Sequence, residues 1–573
     1  MRRALRIGIV LLGVGAVIAF LRLGRGPSIE PGSVLLVDLG GAYVEQSSEP
    51  LLSRLTGQHR TPLVALLSQL RKAQLDTRLQ AVVLRIRPLD VGWGKAHEIR
   101  DAIVALRDAG RRPIAWMEIE SFGSSMEYFV ASGAEEVWMA PGTRAPILGL
   151  AAEYLFFGGL WEKIGVTLEV ERIGEFKSAA ETYAAREMSD PNRRMVNALL
   201  DSVSGTFVSA VAKGRGLTED EVRAAIDAAP VTPEEMKERK LVDGVAYLDE
   251  LVKMQGEGRA LVKGDVYARV DPSEVGFDPK ATFALVYGTG GVVQGDDGGA
   301  APREPRLASE TVSRALESAA KDDAMRAIVF RVDSPGGSAL ASDVVWRAVQ
   351  EARKKKPVVV SMSDVAASGG YYVAAGADAI VAQPTTLTGS IGVFVLRPMV
   401  SGALEKLGIG FASIQRGRHA GLLLSTQPLS PETRARLEAE VRSVYAQFTS
   451  RVAEGRRMEP ARVDELGRGR VWTGAQAKEV GLVDELGGVR RAVELAKQKA
   501  GLAEGDEVAL MPYPPPRSLA EQVQEALGEA SLSLAERALG APPLPRLVSR
   551  ALAWISAVPE GPALVVPFAV EIR

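Results

Sequence analysis

The order of apolar and polar stretches along the chain predicts two successive runs of alternating strands and helices. In the first half, SVLLVDLGG at 33–41 is an apolar stretch closed by a glycine turn, and AVVLRI at 81–86 and PIAWME at 113–118 follow it, spaced by segments of helical length. The second half repeats the plan with TFALVYGTGG at 282–291, AIVFRV at 327–332 and PVVVSM at 357–362. Short continuous apolar runs between helices of roughly 10–15 residues predict βαβ units around a parallel sheet buried on both faces. The predicted fold class is therefore α/β in two tandem units. In such sheets ligands sit where loops leave the carboxyl ends of the strands.

The halves also match in their letters. YFVASGAEEVWMAP, from Tyr128 to Pro141, returns as YYVAAGADAIVAQP from Tyr371 to Pro384. Ala81–Ile86 returns as Ala327–Val332, and LVDG from Leu241 as LVDE from Leu482. Blocks repeated in one order mean a duplicated domain. The expected division is a first repeat over 30–270, a second over 275–500, and an extension over 501–573 with no repeat partner and no assigned role. The polar segment VYARVDPSEVGFDPKAT separates the repeats. In the extension, an alanine-rich pattern from Ser518 to Leu539 is helical in character, and GDDGGAAPREP at 295–305 reads as a surface loop. The register pairs Ser125 with Ser368 and Lys177 with Ala420, so the copies have diverged in their chemistry.

The N-terminus adds a different signal. Arg2, Arg3 and Arg6 precede an uncharged apolar run, Ile7 to Leu21, followed by RLGRGPS, which holds no small-residue cleavage site. Residues 1–24 are read as an uncleaved membrane anchor, with the N-terminus inside and the body outside.

Composition narrows the chemistry. At 573 residues, with 46% hydrophobic and 24% charged residues, the chain is globular and too long for one core. A net charge of −2 carries no basic excess and argues against nucleic acid as a partner. With no cysteine, thiol catalysis and disulfides are excluded. Three histidines, His59, His97 and His419, leave little for a multi-histidine zinc site. No metal or other cofactor is expected.

Two glycine loops fall at the strand ends of the second repeat: DSPGGSA after AIVFRV, and AASGG after PVVVSMS. Ser368 of AASGG is a candidate nucleophile, which needs an adjacent base and backbone donors for an oxyanion. Gly369 lets the backbone approach a carbonyl closely, and Gly336 and Gly337 bring a second donor from the neighbouring loop. Two bases remain open on these grounds. His419 lies beside Arg416 and Arg418 in QRGRHAGL, and Lys177 lies in IGEFKSAAE. A lysine acts as a base only where burial disfavours its charged form.

DSPGGSALASD, AASGGYYVAAGAD and TLTGSIGVF in the second repeat, with IGEFKSAAE in the first, resemble the signal peptide peptidase A family. The likeness is to its long form with two tandem crotonase/Clp-protease-like repeats, and it runs from the anchor to about residue 500 in the family's order. It implies a serine endopeptidase with Ser368 as nucleophile, Lys177 as general base and Ser390 holding the lysine. It also implies an oxyanion hole from Gly369, Gly336 and Gly337. Cleaved signal peptides and other apolar peptides are the implied substrates. The implied setting is a homotetramer anchored once in a bacterial inner membrane, its body in the periplasm. Two other readings share the scaffold: a crotonase-type acyl-CoA enzyme, and a non-catalytic membrane scaffold.

Overall fold

The computed structural model describes residues 27–46, 61–120, 123–256, 258–296, 305–515 and 563–565. The anchor over 1–24, most of the loop at 295–305 and the pattern from Ser518 to Leu539 lie outside these residues.

Each half builds one sheet. The first orders Thr61–Pro62, Ser33–Val44, Leu79–Asp90, Pro113–Met117, Glu136–Met139 and Gly244–Val245, with Leu261–Lys263 also on Ser33–Val44, and every pairing is parallel. The second runs Val471–Thr473, Leu387–Gly389, Val358–Ala367, Met325–Ser334, Pro279–Thr289 and Glu507–Tyr513, with Ala379–Ala382 branching from Val358–Ala367. Central strands such as Ala81–Leu84 and Ile328–Phe330 have no exposed surface. That burial on both faces explains their unbroken apolar runs. Glu507–Tyr513, in the extension the sequence left without a role, pairs in parallel with Pro279–Thr289.

A third sheet mixes the halves. It orders Arg306–Ala308, Gly291–Val293, Gly336–Ser338, Ala563–Val565, Val393–Met399 and Thr167–Ile173. Thr167–Ile173, from the first repeat, pairs antiparallel with Val393–Met399 of the second, from Ile173↔Val393 to Thr167↔Met399.

Two helices of 26 residues occupy matching places, Asp190–Arg215 and Pro431–Arg456. Each is capped by a serine, Ser189 or Ser430, whose hydroxyl accepts an amide three residues on, and each has proline in its first turn. Among the described residues, Asp190–Arg215 is the one helix long and apolar enough to cross a membrane. Here it lies against protein. Val203, Phe207 and Val211 join the first core, while Met195 and Leu199 pack on Ala367 and Val471 of the second repeat. Their spacing of four residues is that of one buried helical face.

Candidate active site

Ser368 stands between Val358–Ala367 and the short helix Gly369–Ala374. Its backbone is at φ 55° and ψ −116°. A non-glycine residue held there stores about 1–3 kcal/mol of strain, and such residues cluster at functional sites. The strained strand-to-helix turn carries the hydroxyl out of the sheet. Leu387–Gly389 pairs in parallel with that strand, Ala367 opposite Gly389, and Ser368 N–H donates to Gly389 O at 2.7 Å. One residue beyond each paired position come Ser368 and Ser390. Ser390 is also at positive φ, 52°, with its amide bound to Arg470 O at 2.7 Å.

Lys177 arrives from the other repeat. Thr167–Ile173 delivers the chain into the second repeat, and Gly174, at φ 104°, turns it. Phe176 N–H then donates to Arg468 O at 3.0 Å, and Lys177 N–H to Gly174 O at 3.1 Å. The side chain is fully buried. Its Nζ lies 2.7 Å from Ser368 Oγ, 3.0 Å from Ser390 Oγ and 3.0 Å from Ser390 O. Burial holds its pKa well below the ordinary lysine value, and no carboxylate is among its hydrogen-bond partners. The charged form is disfavoured and nothing nearby restores it.

The glycine loops meet beside this pair. A Cβ on Gly369 would lie 3.1 Å from Gly337 N and 3.1 Å from Gly336 Cα. Gly369 N–H belongs to the first turn of its helix, where amides have no intrahelical partner. Gly336 N–H is already engaged by Ser334 Oγ at 3.2 Å, whereas the Gly337 nitrogen itself stands against Gly369.

The remaining candidates lie apart. His419 Nδ1 is 3.3 Å from Thr433 Oγ1 and makes no bond to Ser368. Ser125, the counterpart of Ser368, donates to Gly149 O at 3.0 Å. Its repeat has PLDVGWG where the second has SPGGS. Ala420 begins a 3₁₀ turn in an open stretch of chain. Among the described residues, no group of three His, Cys, Asp or Glu side chains is placed to hold a metal ion.

Sequence reasoning missed Gly469 and Gly392. A Cβ on Gly469 would fall 2.4 Å from Lys177 N and 2.5 Å from its Cα, and one on Gly392 would fall 3.1 Å from Lys177 Cδ. These glycines make the slot through which the lysine reaches the serines. GRGR at 467–470 gave no signal beyond a turn.

The model of peptidase family S49 matches the chain twice, over residues 105–261 and 350–503. The chain belongs to peptidase family S49. The serine protease SPPA, chloroplastic, of Arabidopsis thaliana is 33% identical over 515 residues, covering 88% of this chain and 75% of the relative. Protease 4 of Salmonella typhi is 30% identical over 527 residues, covering 86% and 82%. A shorter chain of Enterococcus faecium, provisionally named signal peptide peptidase SppA, is 35% identical over 190 residues, covering 33% of this chain and 55% of its own. This S49 chain is thus a serine peptidase, and the acyl-CoA enzyme and scaffold readings give way. The first family match contains Lys177 and the second contains Ser368 and Ser390.

Proposed function

We propose that the chain is an endopeptidase in which Ser368 is the nucleophile and Lys177 the general base. The observation that carries this is the count of hydrogen-bond capacity at Lys177 Nζ. A neutral amine has two N–H donors and one lone pair. Ser390 O and Ser390 Oγ take the donors, and the lone pair is left for the Ser368 O–H at 2.7 Å. Lys177 Nζ takes the Ser368 proton as Oγ attacks the scissile carbonyl carbon, with the oxyanion between Gly369 N–H and Gly337 N–H. The ammonium returns that proton to the leaving amine. Lys177 then takes a proton from water, hydroxide attacks the acyl ester, and Ser368 leaves with its proton restored. Lys177 remains a base because burial disfavours its charged form.

The substrates are cleaved signal peptides and other apolar peptides, bound extended. Ala563–Val565 supports this mode. It lies antiparallel to both Gly336–Ser338, with Gly337 opposite Leu564, and Val393–Met399, with Phe394 opposite Ala563. One wall of that slot is the SPGGS loop and the other begins at Val393, three residues after Ser390, so an apolar strand there lies between two elements that border the Ser368 site. A relative provisionally named for signal peptides favours the same class.

Residues 1–24 anchor the body to a bacterial inner membrane, facing the periplasm. The apolar run there is too long for a surface loop. The assembly is a homotetramer. Leu160, Leu407, Ile414 and Leu423 are 49%, 73%, 85% and 87% exposed, and Lys406 Nζ donating to Lys163 O at 2.5 Å joins the two segments that carry them. An apolar surface of this kind favours a protein partner. The test is hydrolysis of a synthetic signal peptide in detergent by Ser368→Ala and Lys177→Ala proteins. Both should be inactive with the fold retained, and turnover by the Lys177→Ala protein at the wild-type rate overturns the dyad.

A further inference from the structure

The first repeat's degraded counterpart of the SPGGS loop lies against the second repeat's active-site strands. Trp93–Asp108 and Ala339–Arg353 are the matching helices that follow the two loops. In the second repeat Ser338 caps its own helix, its Oγ accepting Ala341 N–H at 3.3 Å. The first repeat has Gly92 at that position, with no side chain to cap. The cap comes from the other repeat. Asp364 Oδ1 accepts Lys95 N–H at 2.8 Å, the amide equivalent to that of Ala341, and its Oδ2 accepts Gly92 N–H at 3.2 Å. A Cβ on Gly92 would stand 2.4 Å from Asp364 Cγ, and one on Gly94 2.6 Å from Ser363 O. Both glycines permit the approach.

Asp364 sits in a local irregularity of the catalytic strand. Met325–Ser334 and Val358–Ala367 pair in register to Val332↔Met362 and resume at Ser334↔Ala366. Ser363, Asp364 and Val365 therefore bulge opposite Asp333 alone. Bulges beside active sites re-aim the residues that follow them. Here those residues are Ser368 on one strand and Ser334-Pro335-Gly336-Gly337 on the other. Asp333 Oδ1 accepts Val365 N–H at 3.2 Å. Lys95 Nζ closes the bulge, 2.5 Å from Asp333 Oδ2 and 2.6 Å from Asp364 Oδ2, with Glu45 3.5 Å away. Behind it Arg331 pairs with Glu45 at 2.8 Å and Glu98 at 2.6 Å, all from buried side chains. Burial opposes the charge on Lys95, but Asp333, Asp364 and Glu45 outweigh it and hold its pKa well above the ordinary lysine value. These two buried lysines of the first repeat, Lys177 and Lys95, thus have opposite surroundings: Lys177 has no carboxylate among its hydrogen-bond partners, and Lys95 has three carboxylates around it.

We propose that Lys95 is a positioning residue for the oxyanion hole, a first-repeat lysine that pins Asp333 to Asp364 and so fixes the separation of the Gly337 and Gly369 amides. The inference rests on the Ser368 reading above. Removing Lys95 frees two half-buried carboxylates to part, and the strands carrying the two glycine loops part with them. Preorganised donors lose their value when they must reorganise during the reaction.

The experiment uses the full chain with Lys95→Met and Lys95→Arg. The readouts are kcat, KM, and the affinities of a peptide aldehyde and the matching peptide alcohol. The aldehyde forms a tetrahedral oxyanion on Ser368, and the alcohol does not. Lys95→Met is expected to lower kcat by about 100-fold, with KM within about twofold. It should weaken the aldehyde by a similar factor and leave the alcohol unchanged. Lys95→Arg, which keeps the charge, restores most of both. If Lys95→Met does not fold, Lys95→Gln is expected to show the same split at about tenfold. Equal loss of aldehyde and alcohol affinity, or undiminished kcat in a folded variant, overturns the proposal. A fluorophosphonate adduct on Ser368 of the wild type separates this outcome from failure of the dyad reading, which would leave that residue unlabelled.

Discussion

Gly469 stands directly against Lys177: a Cβ there would lie 2.5 Å from both the Cα and the Cβ of the lysine. Gly469 is also at φ 80°, where an L side chain is strained. Its amide donates to Ile391 O at 2.7 Å, which ties it to the residue after Ser390. The backbone on both sides of the contact is thus held, and an added methyl must displace the lysine. Gly469→Ala should cost about 1–3 kcal/mol of stability by overpacking. Peptidase activity should fall by far more than the loss of folded protein, on the order of 100-fold, because a misplacement of about 1 Å is enough for that loss. Parallel thermal melts and kcat/KM measurements check this. A stable Gly469→Ala protein with wild-type turnover contradicts the placement of Lys177 at the serine.

The buried lysine also leaves a mark on stability. Burial lowers its folded pKa well below 10.5, so between the two values the unfolded chain binds more protons than the folded one. Stability then rises with pH. The contribution is present in full above 10.5 and is lost as pH falls to the depressed folded value. Denaturant titrations at several pH values should show the wild type gaining on Lys177→Met by up to about 1.4 kcal/mol per pH unit within that window. A constant difference between the two proteins across alkaline pH means that Lys177 is charged and solvated.

Ala563–Val565 occupies the slot between Gly336–Ser338 and Val393–Met399. A tethered strand competes with free peptide at an effective concentration in the millimolar range. Truncation after residue 515 should therefore lower KM for a short apolar fluorogenic peptide by about tenfold, with kcat little changed. An unchanged KM means that substrate does not use this slot.

The duplication and the parallel strands at the centre of each half's sheet were legible in the sequence because they rest on local signals, apolar runs and repeated letters; the antiparallel edge pairing of Val471–Thr473 with Leu387–Gly389 was not. Ser368 and Lys177, whose side chains meet in the fold, were candidates through the register and the family motifs together. By itself, IGEFKSAAE gave no reason to bury its lysine. The hidden part consists of long-range pairings. Thr167–Ile173 joins Val393–Met399 across the repeats, and nothing in either strand's alternation names its partner. Gly469, Gly392 and Lys95 were missed for the same reason, since each matters only through a residue far away in the chain. PLDVGWG stands where the second repeat has its SPGGS loop. In the fold its Gly92 and Gly94 make room for Asp364.

The most direct test of the central claim is the pH dependence of fluorophosphonate labelling, with the adduct mapped by mass spectrometry. The account predicts one adduct per chain, on Ser368. Its rate should rise with pH through a value below that of ordinary lysine, and it should be lost in Lys177→Ala while that protein stays folded. Labelling at another residue, or labelling of Lys177→Ala at the wild-type rate, contradicts the account.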